Sequence, residues 1–461
     1  MRLITWILIL LSVLETTAQN WSVVSTGKFN DVIVSALSDS VHNKLIASGT
    51  GITHVGNLNA RGVASWDGVK WDSLADGINT HNKSFQLYPQ GSLSAGISYN
   101  GKFLVGGYFT SIGGINTTGL ALWDGAKWDS LPKRAFRFGQ QVVIHGFLKK
   151  GSLLYIIGMF DTIAGQPTNG IATWDGTNFN PILLPIDPSF QSVTSIAEYQ
   201  NEVYITGGAF VGDKVDVLKY NGTSWVSTTG GGFTGPFAGA KNLVVYNNEL
   251  YAAGYFEMVN GNSGNNVIKW DGSQWHDVGF GTIGSYIEIN KMLVYHNKLW
   301  LFGYIPKVAG SFAGNVAVYD GTSWCGLKDT LDNTINAATV YNDTIYIGGA
   351  FWKANSDSIT YMAKLSDENL FNQCVNVVGI NELSNSNYFS IYPNPSTSTF
   401  NIIDENNQLQ NATIQIQNYL GQTVFISSFT SQINLSNLSA GMYFLTIADK
   451  STKKTVKIVK Q

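Results

Sequence analysis

A six-residue motif recurs six times along this chain, and its spacing constrains the fold more than any other feature. Each copy begins with Trp or Tyr, continues with Asp-Gly or Asn-Gly, and ends with Trp or Phe. The copies are WDGVKW (66–71), WDGAKW (123–128), WDGTNF (174–179), YNGTSW (220–225), WDGSQW (270–275) and YDGTSW (319–324). Successive copies start 57, 51, 46, 50 and 49 residues apart. A period of this size predicts a repeat architecture in which each copy belongs to one supersecondary unit.

A second motif precedes each copy and consists of two apolar strands, A and B, joined by a short turn. Turn pairs such as Asn100-Gly101 tolerate the positive φ that two-residue hairpins require. The motif occurs seven times, at 37–51, 95–109, 145–160, 195–210, 243–256, 291–305 and 338–351. The chain therefore has seven A–B hairpins but only six C–D hairpins, which contain the WDG motif.

The two ends of the repeat region can resolve this mismatch. Residues 361–365 supply a seventh strand C, and residues 21–24 (WSVV) look like an isolated strand D. Pairing between these segments would close a ring of seven four-stranded sheets and leave no exposed end sheet. We therefore predict an all-β protein with a seven-bladed β-propeller at residues 19–365.

The loops of such a fold divide between two faces. In an up-and-down sheet the A–B and C–D turns share one face, and the B–C and D–A connections share the other. We expect the second face to be the varied one and to carry binding residues. Its long, dissimilar loops are 74–92, 110–119, 131–140, 161–170, 181–191, 228–240, 258–266 and 306–314.

The segment LALWDGAKWDSL (120–131) has the composition of a sugar site, since it contains two tryptophans and two aspartates. The repeats argue against that interpretation. Asn221 stands at the position of Asp124 in one copy, and a turn former tolerates Asn there whereas a general acid does not. Trp123 and Trp128 recur as Tyr or Phe, as packing aromatics do. We therefore expect this segment to be a hairpin that builds each sheet.

The N-terminus has the pattern of an export signal. Arg2 precedes an apolar run at residues 3–14, and the small residues Thr16 and Ala18 precede Gln19. This predicts a signal peptide at residues 1–18. The run is shorter than the roughly 20 apolar residues of a membrane-spanning helix, so we expect no transmembrane segment. A net charge of −3 with 13% charged residues gives no electrostatic basis for a nucleic-acid partner.

The chain has two cysteines, Cys325 and Cys374. Export into an oxidising compartment permits a disulfide between them, although the spacing alone also permits two free thiols. Two thiols with no histidine nearby make a poor metal site. We predict neither a metal nor another cofactor.

The composition changes after about residue 366. Residues 366–384 are polar and predict a linker, and residues 385–461 alternate in the manner of a small β-sandwich. The segments YPNPS (392–396), YLGQTV (419–424), LSNLSAGMYFL (435–445) and KKTVKIVK (453–460) resemble the type A C-terminal sorting domain of the type IX secretion system of Gram-negative bacteria. The alternative is an ordinary Ig-like accessory domain. The motif positions are Tyr392, Pro393, Asn394, Pro395, Gly421 and Gly441.

This resemblance implies partners and a location. The domain would engage the outer-membrane secretion and sortase machinery, and would usually be removed before the protein is attached to the cell surface.

The repeats themselves resemble the kelch and galactose-oxidase-like propeller superfamily, through the letters GG-x-F followed by W-D-G-x-x-W. That second resemblance concerns the fold and implies no particular activity.

The sequence lacks the patterns of catalytic residues that are typical of propeller enzymes. Galactose-oxidase copper chemistry needs a Cys–Tyr pair and two histidines in one site, and the six histidines show no recurring pattern. A sialidase needs three arginines on the central channel, whereas the exported chain has only Arg61, Arg134 and Arg137. The non-repeated acids offer no selected pair for glycoside hydrolysis. An enzyme acting on extracellular polysaccharide remains an alternative.

One local cluster on the predicted varied face has the chemistry of a binding site. Stacking aromatics and cationic groups there would suit an acidic or glycan ligand. The alternative is a solvated basic loop with phenylalanines buried beneath it. The candidate residues are Lys133, Arg134, Phe136, Arg137, His81 and Tyr88.

The sequence therefore favours a secreted or cell-surface binding or adhesion module with a glycan or protein ligand. A structural scaffold whose partner is another surface protein and a polysaccharide-active enzyme are the alternatives.

Overall fold

The computed structural model describes residues 20–461, apart from several stretches. The stretches outside the description are 80–90, 132–134, 137–141, 185–191, 209–216, 230–232, 235–238, 257, 260–261, 264, 280–286, 370, 372–373, 377–389, 404–408, 410–411, 419–421 and 449–452. The predicted signal peptide also lies outside the described residues. The described residues form strands and turns and no helix, so none of them forms a helix able to cross a membrane. The protein is all-β, and its contacts divide it into two units, Met1–Val378 and Gly379–Gln461.

The first unit contains seven sheets of the same design, numbered 1 to 7 along the chain. In sheets 1 to 6, strands A, B, C and D pair antiparallel in the order of the sequence. Sheet 1 consists of Ser35–Asp39, Lys44–Ser48, Val63–Trp66 and Trp71–Ser73; sheet 2 of Ser92–Tyr99, Lys102–Tyr108, Leu120–Trp123 and Trp128–Asp129; sheet 3 of Val143–Lys150, Leu153–Met159, Ile171–Trp174 and Phe179–Pro181.

The remaining sheets repeat this order. Sheet 4 consists of Ser192–Tyr199, Glu202–Gly208, Val217–Tyr220 and Trp225–Ser227; sheet 5 of Gly239–Tyr246, Glu249–Tyr255, Val267–Trp270 and Trp275–Asp277; sheet 6 of Glu288–Tyr295, Lys298–Tyr304, Val316–Tyr319 and Ser323–Gly326, with Val375–Asn376 as a fifth strand; sheet 7 of Ile335–Tyr341, Thr344–Gly349, Met362–Leu365 and Trp21–Val23.

Sheet 7 draws its strand D from the start of the unit. Trp21 pairs with Leu365, and Val23 pairs with Ala363, in antiparallel register. This confirms the predicted pairing of residues 21–24 with residues 361–365. Because Trp21 is fully buried, the strand contributes to the core as well as to the hydrogen-bonded ladder.

The A–B turns also have the predicted form. Asn100-Gly101 and Asn342-Asp343 each form a two-residue loop with positive φ at both positions. Such turns match the right-handed twist of the strands that they join. The WDG connections are longer than a two-residue turn, because Trp123 pairs with Trp128 and leaves four residues in the loop.

The core of the first unit is divided into seven apolar clusters, each between two neighbouring sheets. Strand B of each sheet contributes residues to the clusters on both sides of that sheet, since alternate residues point to opposite sides of a strand. In sheet 2, Leu104 packs toward sheet 3, whereas Phe103 and Val105 pack toward sheet 1. The cluster between sheets 7 and 1 is of the same kind, with Tyr346 against Leu45.

The A strands contact one another in order, and the strand of sheet 7 contacts that of sheet 1. The close packing has a visible cause in the first glycine of the GG pair. A Cβ on Gly348 would lie 2.2 Å from Cγ2 of Ile33, two residues before strand A of sheet 1. Only a residue without a side chain allows that isoleucine to fill the space between the sheets.

The second unit contains two sheets around one apolar core. Ser390–Tyr392, Thr399–Ile403 and Gln432–Asn434 form the first sheet. Thr423–Ser428, Thr413–Asn418, Gly441–Ala448 and Lys453–Lys460 form the second, in that spatial order. Phe400, Ile416 and Leu445 are among the fully buried residues between them.

Candidate functional site

Most of the predicted ligand cluster lies outside the described residues. This holds for Lys133, Arg134, Arg137, His81 and Tyr88. The backbone of Phe136 is described in the short strand Ala135–Phe136, which pairs with Thr162–Ile163. A binding role for this cluster therefore stays a prediction.

The WDG segments are turns, as the repeats predict. Oδ1 of Asp124 accepts hydrogen bonds from the amides of Ala126 and Lys127, each at 2.9 Å. Those bonds hold the pKa of Asp124 below its usual range. Asn221 accepts the same two bonds in sheet 4, from Thr223 and Ser224, which explains why the position tolerates Asn.

The aromatic residues of this segment are packing residues. Trp123 and Trp128 are both buried, with ring centroids 4.9 Å apart. A ligand could not stack on either ring, because almost no ring surface reaches solvent. The residues that first suggested a sugar site therefore belong to the scaffold.

The B–C loops, predicted to be dissimilar, share one structure in the six sheets where they are described. Each begins with a buried apolar anchor, such as Phe109 or Phe351, continues through a short hairpin, and ends at a positive φ. The prediction was wrong because it rested on the exposed residues, which differ between loops. The buried anchor and the final residue with positive φ recur in each loop. The hairpins are His54–Val55 with Leu58–Asn59, Ser111–Ile112 with Ile115–Asn116, Thr162–Ile163 with Gln166–Pro167, Met258–Val259 with Asn262–Ser263, Lys307–Val308 with Ser311–Phe312, and Lys353–Ala354 with Asp357–Ser358.

Some D–A connections add a strand to these hairpins. Ile78–Asn79 pairs with Ser111–Ile112, and Phe233–Thr234 pairs with Met258–Val259. This face of the unit is therefore built from hydrogen-bonded hairpins. Ordered hairpins hold side chains more firmly than irregular loops do, which suits a binding surface.

Strand A carries a β-bulge in six of the seven sheets, near the end that leads to this hairpin face. In each of these six sheets, one residue of strand A has no partner on strand B. A bulge re-aims side chains and is common beside functional sites. The bulge residues are Ser94, His145, Thr194, Lys241, Asn290 and Asn336.

The glycine near the end of strand B, which is the second glycine where a GG pair is present, is the sequence signal for the bulge. In sheet 6, a Cβ on Gly303 would lie 1.8 Å from the backbone oxygen of Glu288. Gly107 in sheet 2 meets Ser92 in the same way, at 2.2 Å. The glycine is thus required by the close approach of the bulged strand. Sequence reasoning used the GG pair only to find repeats and missed this role.

The bulge residues, together with Glu288, Lys291 and Tyr304, are called the rim below. Lys241 forms an ion pair with Glu288 of the neighbouring sheet. Tyr304 pairs with Glu288 in register and is 41% exposed. An exposed phenol, an ammonium and a carboxylate therefore come together between sheets 5 and 6.

Amide side chains of the rim donate hydrogen bonds to the backbone at, or just before, strand A of the next sheet. Nδ2 of Asn290 donates to the backbone oxygen of Ile335 at 3.1 Å. Nδ2 of Asn336 donates to that of Ile33 at 3.2 Å. Their Oδ1 atoms remain available as acceptors, since no hydrogen bond to them is present in the described part of the chain.

Two titratable rim groups have perturbed protonation. Loss of solvent around His145 lowers the pKa of its imidazole to about 4, so the ring is neutral at physiological pH. The same cause lowers the pKa of the Lys291 ammonium, although the side chain keeps access to solvent. Among the described residues, no group of three His, Cys, Asp or Glu side chains is placed to hold a metal ion.

The structure joins Cys325 and Cys374 in a disulfide. Cys325 lies on strand D of sheet 6, and Val375–Asn376, directly after Cys374, pairs with that strand. The ring of Phe371 lies 5.3 Å below the ammonium of Lys298. Part of the segment predicted as a linker is therefore attached to sheet 6.

The YPNPS motif contacts the C-terminal strand of the second unit. Oδ1 of Asn394 accepts a hydrogen bond from the amide of Val459 at 2.8 Å. The amide of Ser396 donates to the backbone oxygen of Val459 at 3.0 Å. The bonds Tyr392-Pro393 and Asn394-Pro395 are cis. Gly441 begins the strand Gly441–Ala448, whereas Gly421 lies outside the described residues.

The second unit matches a known protein family. Residues 390–461 match the family model of the secretion system C-terminal sorting domain. No curated protein has a sequence similar to that of the chain.

Two solved structures of extracellular domains from B. thetaiotaomicron, described as parts of hybrid two component systems, are similar in part. They are 13% and 11% identical to the chain, with TM-scores of 0.46 and 0.43, and 96% of the chain is covered in each case. The chain spans 59% and 57% of the length of those domains.

The sorting domain implies interaction with the type IX secretion machinery. The chain thus carries a secretion system C-terminal sorting domain at residues 390–461, and it is a secreted or cell-surface protein of a Gram-negative bacterium.

Proposed function

We propose that the first unit is a seven-bladed β-propeller that binds an extracellular ligand after export. The cyclic order of A-strand contacts and the seven inter-sheet clusters support a closed ring. The recurring links between sheets support it too. Tyr246 donates to the A–B turn of sheet 6 at 3.0 Å, and Tyr341 donates to the A–B turn of sheet 1 at 3.1 Å. The interface between sheets 7 and 1 therefore contains the same kind of hydrogen bond as the interface between the consecutive sheets 5 and 6.

The rim is the proposed ligand site, and one observation carries this assignment. The bulged backbone recurs in six sheets, but its side chain varies: Ser, His, Thr, Lys and Asn occupy equivalent positions, and Asn is the one residue type that occurs twice. At the WDG turns the opposite holds, since equivalent residues make equivalent bonds. A scaffold repeats what it needs for folding, so the unrepeated side chains are free to serve recognition.

The chemistry of the rim favours a hydroxyl-rich ligand. Tyr304 offers an exposed ring face, while amide oxygens and the Lys241–Glu288 pair offer acceptors and donors close together. Aromatic faces and planar polar groups are the usual partners of sugar rings. We therefore favour a glycan over a protein partner. The kelch-like assignment of the repeats belongs to the same proposal and rests on their recurring letters.

A glycan array probed with the purified protein tests this proposal. We expect binding to one group of glycans, weakened at least tenfold by Lys291→Gln or Tyr304→Ala. Lys70→Gln is the matched control, because Lys70 is an exposed lysine on a WDG turn, away from the rim. Equal loss in Lys70→Gln would point to non-specific charge effects and remove the rim from the binding site.

A further inference from the structure

A separate polar pocket lies at the hairpin face of sheet 1. It lies between the end of the first B–C hairpin and the start of the connection to sheet 2, and has a volume of about 210 Å³. Small residues, including Ala60 and Ala75, form part of its wall. Its polar lining residues are Asn59, Arg61, Ser73 and Asp76.

Arg61 is held at this pocket by the backbone. The amide of Ile78 donates to the backbone oxygen of Arg61 at 2.9 Å. Gly77 approaches so closely that a Cβ there would lie 2.3 Å from that oxygen, and its φ is +75°. Both facts require glycine at position 77. The connection therefore packs directly against Arg61 and fixes its place beside the pocket.

The guanidinium of Arg61 has no evident structural role. Arg61 is exposed, and within the described part of the chain it makes no side-chain hydrogen bond or ion pair. It is also the only arginine among the described residues. The corresponding position before strand C in sheet 2 is Thr118 and in sheet 3 Asn169, so the charge is specific to sheet 1.

Asp76 also differs in its environment from Asp329, the equivalent residue after strand D of sheet 6. It follows the buried Leu74 by two residues, as Asp329 follows the buried Leu327. Asp329 is buried and accepts hydrogen bonds from Asn20 and from Asn355 of the next hairpin. Asp76 is exposed and has no such bond to any described residue. Its carboxylate is therefore available to a ligand.

We propose that this pocket binds a hexuronate, that is, a sugar ring carrying one carboxylate. Arg61 pairs with the ligand carboxylate through two parallel N–H donors. Asp76 accepts hydrogen bonds from ring hydroxyls, and Asn59 and Ser73 supply further donors and acceptors. The volume lies below the ~300–1,000 Å³ of sites for drug-sized ligands, so it suits a single ring.

The mixed charge of the pocket discriminates against related ligands. A phosphate dianion would be repelled by Asp76, and a neutral sugar would leave the Arg61 charge without a partner. A free amino acid has a carboxylate and an ammonium that could satisfy Arg61 and Asp76. It would leave Asn59 and Ser73 unused, whereas a hexuronate engages them through its hydroxyls.

The test is ligand-observed NMR titration of the full-length protein with glucuronate, galacturonate, glucose and alanine. We expect saturable binding of a uronate and at least tenfold weaker binding of glucose and alanine. Arg61→Gln should weaken uronate binding at least tenfold, and Asp76→Asn should weaken it severalfold. Lys307→Gln is the matched control, since Lys307 is exposed on a hairpin of the same face, and it should bind as the unchanged protein does.

Two results would overturn the proposal. One is uronate binding that survives Arg61→Gln, and the other is alanine or glucose binding as tight as uronate binding. Polygalacturonate, compared with the free acid, shows whether the pocket prefers a polymer or a monosaccharide. The uronate titration with Arg61→Gln reads this pocket, whereas the glycan array with Tyr304→Ala reads the rim, so failure at this pocket and failure at the rim give different results.

Discussion

Asp329 and Asn20 bind each other in both directions across 309 residues of sequence. The carboxylate of Asp329 accepts from the amide of Asn20 at 2.7 Å, and Oδ1 of Asn20 accepts from the amide of Asp329 at 2.9 Å. Both residues are buried. Asn20 directly precedes the strand that completes sheet 7, so this pair fixes the place where the start of the first unit joins its end.

We expect Asp329→Ala to lower the free energy of unfolding by about 1.5–3 kcal/mol, because a charged acceptor is lost and buried amides are left without a partner. Urea denaturation followed by tryptophan fluorescence measures the change. Asp332→Ala is the control, since Asp332 also accepts from two backbone amides, but at an exposed site. An equal effect of the two substitutions would contradict a special role for the buried pair.

Trp21→Ala should destabilise the first unit by about 3–5 kcal/mol, as expected for removal of a fully buried tryptophan. Val23→Ala on the same strand should cost much less, because Val23 is 47% exposed. Hydrogen exchange adds a local measurement: amides of Met362–Leu365 should lose protection in Trp21→Ala but keep it in Val23→Ala. Unchanged protection in both variants would show that the strand contributes little to sheet 7.

The sequence predicts the repeated parts of this fold well and the unrepeated parts poorly. The Asp124 turn and the strand at Trp21 are predictable, because turn chemistry and apolar alternation act locally and recur. The bulges, such as the one at His145, cannot be predicted from the local sequence, since a bulge depends on how a neighbouring strand approaches. The candidate rim follows from the pairing register of strands A and B, which five different residue types at six equivalent positions conceal.

Asp124→Asn should leave the melting temperature almost unchanged at pH 7, whereas Asp124→Ala should lower it slightly, because only Asn keeps the two bonds to backbone amides. The carboxylate has a lowered pKa in the folded state. Its stabilising contribution is therefore present above the unfolded pKa of about 3.9 and lost as the pH falls through the folded pKa. Thermal unfolding between pH 7 and pH 3 should show less acid sensitivity in Asp124→Asn; a larger acid sensitivity would contradict this.

The disulfide should stabilise the end of the first unit. Joining Cys325 to Cys374 closes a loop with a sequence separation of 49, and the Cys325→Ser/Cys374→Ser variant should lose about 2–4 kcal/mol. The unchanged protein under reducing conditions should show the same loss, and the variant should not respond to reductant. Hydrogen exchange should rise first at Val375–Asn376, where the disulfide adds a strand to sheet 6.

His145 should make stability depend on pH between about 6.5 and 4. Its pKa in the folded protein is about 4, against about 6.5 in an unfolded chain. In that window the unfolded chain binds the proton and the folded protein does not, so stability falls as the pH is lowered. His145→Gln should flatten this part of the stability profile measured by urea denaturation. His54→Gln, which removes an imidazole from an exposed hairpin, is the control; a profile flattened equally by both variants would rule out a specific effect of the enclosed rim histidine.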